Sequence, residues 1–409
     1  MNISVDTERQ TPRIVYFLIF LYFLMSMRCW IGFGGIAYAY QYIFFVLITL
    51  LHIAGKVKLQ FKGRYLAYAM IVFATLLLSV GKMSNLNGII DKFVPAFGIL
   101  AILAIPDLEK ECLLSHIIKW FGIIILAGFP IYVLCQLGAI PPFGTIQADY
   151  GNNILGKMYN QYYFYLQPIE RHAGKLVRFN SVFIEPGDLG CVSAFLLMAA
   201  QFNFKRYRYL WAVLLGLIAS FSLAGYIMTM LAYLFILLLE GRISVRALTT
   251  YILFILVFYI IGTTWNAGDN VINNTILSRL QSDDEVGFTG NNRTSLLKLE
   301  YFYAMFNDTK VLLWGYDSDT IGYLIEQTGL GAGFVNKMIG VGLIGMIGLI
   351  LPNLLITMKS TAKRYAWFFF IVFALYMYQR TEAFWVSLVI CYVYGIVINE
   401  LDNQKQWLQ

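Results

Sequence analysis

The feature that most constrains this chain is a succession of apolar runs, most of them long enough to cross a lipid bilayer as a helix. A helix rises about 1.5 Å per residue, so about 20 mostly apolar residues span the hydrocarbon core, or somewhat fewer when neighbouring helices or snorkelling side chains help. On that scale the sequence predicts twelve spans, which lie near residues 14–30, 35–54, 65–81, 89–105, 117–138, 188–203, 207–221, 223–239, 247–263, 334–356, 365–379 and 383–399. We therefore expect an all-α, polytopic integral membrane protein with about 12 transmembrane helices.

The composition excludes several other classes of protein. Hydrophobic residues make up 59% of the chain and charged residues 13%, against about 25% charged residues in soluble domains. The net charge of +7 does not predict a nucleic-acid partner, because the basic residues gather in short loops between spans. The five cysteines lie in or beside apolar runs and form no CxxC pair. We read them as small core residues and expect no cofactor and no metal.

Charge arithmetic decides how the apolar run from Tyr209 to Leu239 is divided. The run is too long for one crossing, and Ser220-Phe-Ser222 splits it into two predicted helices. With that split, one side of the membrane receives the basic loops, which carry Lys56, Lys58, Lys62, Arg64, Lys205, Arg206, Arg208, Arg242, Arg246, Lys359, Lys363 and Arg364. An excess of Lys and Arg marks the cytoplasmic side. The same split places both termini inside and two long loops, 139–180 and 264–333, outside a single membrane domain, 1–409.

Two segments of the outer loops have a pattern of their own. Residues 150–168 are rich in tyrosine, which is typical of a segment at the level of the lipid headgroups, although aromatic rings also stack on sugars. Residues 320–333 predict a short amphipathic helix that ends at glycines and leads back into the membrane.

The candidate site begins with the segment Arg178-Phe-Asn-Ser-Val-Phe-Ile-Glu185-Pro186-Gly187-Asp188-Leu-Gly190, at the mouth of the sixth predicted span. A charged side chain at a membrane edge is costly unless it has a partner, a water-filled cavity or a charged ligand. Arg178 and Glu185 therefore indicate either a functional site or a structural clamp between the two side chains.

Basic residues at the outer ends of other spans extend this site. Arg28, Arg178, Lys337 and Arg380 share that position, and their convergence under the loops would form a strongly positive cavity. Such a cavity suits a lipid-linked anion such as a polyprenyl diphosphate, because guanidinium groups bind phosphate oxygens in pairs and stay charged. The alternative is that each side chain extends singly to the interface.

Glu185 is the first candidate for a general base, since Pro186 and Gly187 would fix it at a helix start. His172 is the second candidate, because the ordinary pKa of histidine suits neutral pH. Arg171 and Arg293 add basic groups in the two outer loops. Asp317-Ser318-Asp319 resembles the DxD metal site of nucleotide-sugar enzymes, but nucleotide sugars are not expected outside the cytoplasm.

These motifs carry a resemblance to the bacterial O-antigen polymerases, the Wzy family. Arg178-x-x-Ser181-x-Phe183-x-Glu185-Pro186-Gly187, opening a span, is similar to the motif of that family. The paired short spans around Ser220-Phe-Ser222 also fit it. Further matching elements within residues 115–400 are Gly290-Asn-Asn-Arg293, Leu313-Trp-Gly315-Tyr, Gly333-Phe-Val-Asn336 and Gly340-Val-Gly-Leu-Ile-Gly345.

The resemblance implies a membrane-embedded C-type glycosyltransferase of the bacterial inner membrane that needs no nucleotide donor. Its substrates would be undecaprenyl-diphosphate-linked oligosaccharides at the periplasmic face, where a growing glycan moves onto a lipid-linked repeat unit. By resemblance, Arg178 and Arg293 would engage the diphosphate or the glycan, and Glu185 would lie at the acceptor. A chain-length regulator protein is a further implied partner.

Two alternatives remain open at this stage. O-antigen ligases, which are related, typically carry a histidine in the large outer loop, and residues 264–333 contain none. Another C-type architecture places an acidic residue in a long first outer loop, whereas here that loop covers only about residues 31–34. A transporter or flippase for lipid-linked oligosaccharide would require a polar path across the membrane, whereas an enzyme requires its charged groups on one face.

Overall fold

The computed structural model describes residues 11–33, 35–78, 86–150, 153–169, 177–242, 245–277, 282–283, 287–288, 295–328 and 333–407. A helix lies in each of the twelve predicted segments. Their bounds are α1 Arg13–Met25, α2 Ile36–Ile53, α3 Gly63–Leu78, α4 Leu86–Leu103, α5 Asp107–Gln136, α6 Pro186–Ala199, α7 Leu210–Ala219, α8 Leu223–Leu239, α9 Val245–Thr264, α14 Phe334–Lys359, α15 Lys363–Gln379 and α16 Val386–Trp407. The loop between α9 and α14 contains α10 Val271–Thr275, α11 Leu296–Ala304, α12 Thr309–Trp314 and α13 Ser318–Thr328.

Four of these helices are long and apolar enough to cross a bilayer alone. They are Ile36–Ile53, Asp107–Gln136, Phe334–Lys359 and Val386–Lys405. The chain is thus a mostly helical protein of membrane type, while the count of twelve spans stays a prediction. α7 has 10 residues, which cover only about 15 Å of a core about 30 Å thick.

The break between α7 and α8 falls where the sequence predicts it. Phe221 has φ +45°, in the left-handed region, and Ser222 caps α8 by accepting a hydrogen bond from the Gly225 amide at 3.2 Å. A serine at the N-cap satisfies one of the unpaired amides of the first turn. The apolar run is therefore two helices joined by a tight turn.

The core of the bundle is built around α6, which is buried from Asp188 to Ala199. It lies against α7, α8 and α16. The approach of α8 is very close, because a Cβ on Gly225 would lie 2.8 Å from the carbonyl carbon of Gly190. Small residues at a helix crossing permit such contact between backbones. This packing fixes the outer end of α6, where Glu185 and Asp188 lie.

The words outer and inner denote the predicted sides of the membrane. The first predicted outer loop contains a small sheet that the all-α prediction did not include. Strands β1 Gly144–Tyr150, β2 Asn153–Tyr162 and β3 Tyr165–Pro168 form an antiparallel sheet in that order. The register pairs Thr145 with Asn160 and Gln161 with Leu166. Tyrosine is favoured in strands as well as at membrane interfaces, so composition alone does not separate these alternatives.

The second outer loop, 264–333, is mostly helical in the residues that the structure describes. α13 covers most of the predicted amphipathic segment, with Leu324 buried and its neighbours largely exposed. Residues 329–332, which include its predicted terminating glycines, lie outside the described ranges. Two short strands, β4 Ser282–Asp283 and β5 Gly287–Phe288, pair in the same loop.

The opposite end of the bundle is held by ion pairs. Arg64 on α3 contacts Asp107 at the start of α5 at 3.4 Å and Glu400 on α16 at 3.1 Å. The fully buried ammonium of Lys110 lies 2.6 Å from Asp107. This end carries the basic loops that predict the cytoplasmic side.

Candidate functional site

Three segments that are distant in sequence meet at the outer end of the bundle. One follows α1 at Arg28, one precedes α6, and one joins α15 to α16. The first two pair as extended backbone, since the Trp30 amide donates to the Val182 carbonyl at 3.1 Å and the Ile184 amide donates to the Arg28 carbonyl at 3.4 Å. This pairing places the Arg28 and Glu185 backbones at the same end.

The sheet covers the segment that precedes α6. The Leu166 amide donates to the Ser181 carbonyl at 3.0 Å, and the Tyr159 hydroxyl donates to the Ile184 carbonyl at 3.2 Å. Ser181 has φ +51° and Arg28 has φ +54°. Left-handed backbone at residues other than glycine is costly and is held here by surrounding contacts. The sheet thus fixes the segment that precedes α6, and the Arg28 segment is held through its pairing with that segment.

Arg380 connects two carboxylates of the α6 mouth. Its side chain is only 2% exposed, and its guanidinium donates to Glu185 Oε2 at 2.6 Å and to Asp188 Oδ1. Gly187 lies between these acids, and a Cβ there would come within 2.5 Å of Arg380 Nη2. Gly187 therefore leaves room for the guanidinium beside the first turn of α6.

Arg28 and Glu382 form a second pair beside the first. Arg28 Nη2 lies 3.0 Å from Glu382 Oε1, and the guanidinium stands over the ring of Trp385, 5.6 Å from its centroid. Arg28 also interacts electrostatically with Asp188 and Glu185. Lys337, near the start of α14, interacts with Glu382.

We name the set Arg28, Glu185, Asp188, Lys337, Arg380 and Glu382 the outer charge cluster. Its three cations face three carboxylates, so it is close to neutral and not the strongly positive cavity that the basic residues alone suggested. Asp188 Oδ2 and Glu382 Oε2 are buried and accept no hydrogen bond from the described residues. Glu185 is the more open carboxylate, with 36% of its side chain exposed.

Arg178 lies on the α7–α8 side of the same mouth. Its Nε donates to the Ser220 carbonyl at 2.9 Å, and it interacts electrostatically with Tyr226. The adjacent Phe179 amide donates to the Ala219 carbonyl at 3.1 Å. The turn between α7 and α8 therefore holds Arg178, while Arg380 holds Glu185.

The other predicted site residues are distributed as follows. Arg171, His172 and Arg293 lie outside the described residues.

The Asp317-Ser318-Asp319 segment leads into α13. Asp317 Oδ1 accepts hydrogen bonds from the amides of Asp319 and Thr320, and the Thr320 bond is the main reason that the pKa of Asp317 is lowered. Within the described ranges no group of three or more His, Cys, Asp or Glu side chains is arranged to hold a metal.

Sequence reasoning missed two acids of the outer charge cluster as site residues. Asp188 follows Glu185 by three positions, which brings both to one side of the first turn of a helix. Glu382 follows Arg380 by two positions, between the apolar runs 365–379 and 383–399, which contain no charged residue. The signal that marks them is the cost of a charge at a membrane edge, which applies to acids as it does to arginines.

A small hollow lies under the second outer loop. It has a volume of about 100 Å³ and is lined by residues of α11, α13 and α14, among them Lys298, Leu324 and Asn336. Asn336 precedes Lys337 of the outer charge cluster. A larger cavity, of about 530 Å³, lies at the opposite end of the bundle.

Chemically, the outer charge cluster can hold one carboxylate in a fixed position and present it to a polar substrate. A guanidinium with two carboxylate partners leaves little freedom to either acid, and the open face of Glu185 can accept a proton or a hydroxyl hydrogen bond.

Comparison of the chain with models of protein families, with curated proteins and with solved structures found no match.

Proposed function

We propose that this protein is a polysaccharide polymerase of the O-antigen type. It moves a growing glycan from undecaprenyl diphosphate onto a lipid-linked repeat unit at the periplasmic face of the bacterial inner membrane. The observation that carries the proposal is the outer charge cluster, where Glu185 of the family-like motif is held by Arg380 with a third of its side chain open. An ionisable group inside a membrane protein is a functional-site hypothesis by default, because its burial is costly.

In this reaction Glu185 acts at the acceptor sugar. An acceptor hydroxyl attacks the first carbon of the donor glycan, and its proton passes to the Glu185 carboxylate as general base. The bond between that carbon and the diphosphate oxygen breaks, and both bonding electrons leave with the lipid diphosphate. Arg380 positions the base, because its guanidinium is already engaged by two carboxylates.

Basic groups other than Arg380 bind the diphosphate. Arg178 stands at the same mouth and is partly exposed, so it remains the first choice for stabilising the departing diphosphate. Arg171 and Arg293 are the further candidates in the outer loops. Arg28 and Lys337 offset Glu382 and keep the cluster close to neutral.

Two observations favour an enzyme over a flippase. The charges of the cluster lie at one end, and the helices that bear them contain no charged residue from Leu189 to Ala199, from Tyr365 to Gln379 or from Val386 to Asn399. A flippase for a charged headgroup requires a polar path through the full thickness.

Reconstitution tests the proposal. Purified full-length protein in proteoliposomes is incubated with a synthetic undecaprenyl-diphosphate-linked repeat unit, and the products are separated on a gel. We expect a ladder of glycans that differ by one repeat unit and release of undecaprenyl diphosphate. Transfer of the lipid between leaflets without any longer glycan would overturn the proposal in favour of a flippase.

Glu185→Gln tests the role of the base. We expect turnover to fall about 100-fold or more, the range of general base catalysis, with substrate binding largely retained. Glu326→Gln, on the exposed face of α13, is the matched control and keeps wild-type turnover. Wild-type polymerisation by Glu185→Gln would remove Glu185 from the mechanism.

A further inference from the structure

The larger cavity opens at the end of the bundle opposite to the outer charge cluster. Its volume is about 530 Å³, and we name it the inner cavity. It is lined by the ends of α6, α8 and α16 and by the start of α15, and its polar lining includes Gln201, Glu240, Lys363, Arg364, Asn399 and Asn403.

The inner cavity carries an excess of positive charge. Lys363 and Arg364 open α15 on its rim, and Arg364 is exposed and forms no ion pair with the described residues. Lys363 Nζ donates to the Met358 carbonyl, which leaves two of its three hydrogens for another acceptor. The carboxylate of Glu240, also on the rim, is offset by Arg242 at 3.1 Å.

Side-chain amides complete the polar wall. Asn399 and Asn403 lie one turn apart on α16, so both face the cavity. Asn403 Nδ2 donates to Asn399 Oδ1 at 3.3 Å, which fixes the two amides relative to each other. Gln201, in the left-handed region at φ +53°, adds a third amide. Ammonium, guanidinium and amide hydrogens together match the oxygens of a phosphate ester.

An apolar stripe leads away from this polar hollow along α15. Trp367, Ile371 and Leu375 follow one another at spacings of four and are 42%, 42% and 38% exposed. Residues four apart share a face of a helix. A ligand with a charged head and a long apolar tail would contact both the cavity and the stripe, whereas a free phosphate ion would use only the cavity.

We propose that the inner cavity binds the phosphate headgroup of an anionic phospholipid, with an acyl chain lying along the Trp367 stripe. Lys363 and Arg364 neutralise the phosphate, and the amides of Asn399 and Asn403 contact the polar groups of the head. The site lies at the other end of the molecule from the outer charge cluster and does not depend on the reaction proposed there.

Native mass spectrometry of the detergent-solubilised full-length chain tests this site. Phosphatidylglycerol and phosphatidylcholine with identical acyl chains are titrated against wild type, the pair Lys363→Gln/Arg364→Gln, and the control pair Lys56→Gln/Lys58→Gln. Lys56 and Lys58 are exposed cations of another loop at the same end. We expect wild type to prefer phosphatidylglycerol, and the first pair of substitutions to weaken that binding about 30-fold, as for two cations near an anionic headgroup.

Three outcomes would overturn the proposal. Equal binding of both lipids would exclude recognition of the anionic head. An equal loss in both double variants would indicate a diffuse attraction to the basic end in place of a site. Inorganic phosphate that displaces phosphatidylglycerol completely, at millimolar concentration, would make free phosphate the ligand. Arg364→Gln alone serves as a second variant if the pair lowers the thermal unfolding midpoint.

Discussion

Arg380 is the residue on which the geometry of the outer charge cluster depends most. Its guanidinium is buried and serves Glu185 and Asp188 at once. Two carboxylates this close to hydrocarbon repel each other unless a cation stands between them. A lysine has the charge but not the planar fork that reaches two acceptors in fixed directions.

Arg380→Ala should therefore destabilise the protein by about 3–5 kcal/mol, the cost of removing one partner of a buried ion pair. Arg380→Lys should lose less, because the charge is kept. Thermal unfolding in detergent measures both, and Arg242→Ala, at a side chain 73% exposed, is a control that should leave the midpoint unchanged. A wild-type midpoint for Arg380→Ala would mean that the two acids do not rely on this guanidinium.

At the scale of the element, the contact between α6 and α8 sets the position of the motif. A Cβ on Gly190 would lie 2.4 Å from the Ser222 Cβ, and one on Gly225 would lie 2.8 Å from the Gly190 carbonyl carbon. Backbone atoms cannot give way as a flexible side chain can. The glycines thus hold the mouth of α6 against the turn that carries the acceptor carbonyl for Arg178.

Gly225→Ala should cost about 1–3 kcal/mol, the range for overpacking in a close-packed interior. Gly322→Ala is the matched control on α13, where a Cβ meets nothing within 4 Å; it should be neutral or slightly stabilising, since alanine favours a helix over glycine. Chemical unfolding of both variants provides the comparison. Equal stability of the two would show that the helices separate at no cost.

At the scale of the whole molecule, charge is concentrated at two ends. One end holds the outer charge cluster, and the other holds the ion pairs of Arg64, Asp107 and Glu400 together with the inner cavity. The buried residues of α6 separate the two. Charge at both ends and an apolar middle are typical of a chain that crosses a bilayer.

Cysteine labelling in spheroplasts tests the predicted orientation, in which residues 139–180 lie outside and the end of α16 lies inside. Tyr163→Cys, in the turn between β2 and β3 where Tyr163 is 69% exposed, should react with a membrane-impermeant maleimide. Asn403→Cys, exposed near the end of α16, should react only after the membrane is permeabilised. Both variants carry Cys112→Ser, because the other four native cysteines are buried. Labelling of both positions from the same side would contradict an odd number of crossings between them.

The positions of the helices could be predicted from the sequence, because an apolar run in a bilayer has few stable conformations other than a helix. The break at Ser222 could also be predicted, because a serine that can cap a helix interrupts an otherwise unbroken apolar run. The small sheet could not be predicted, because the tyrosines of residues 150–168 are favoured both in a strand and in a segment at the membrane interface.

The sequence by itself determined that the charges near Arg178, Glu185 and Arg380 need partners, because an unpaired charge beside hydrocarbon is too costly to persist. Only the tertiary structure decided which partners they have. Glu185 and Arg380 are separated by 195 positions, and their meeting depends on how α6, α8, α15 and α16 pack. Pairing across such separations follows from the shape of the packed core, which no local pattern in the chain encodes.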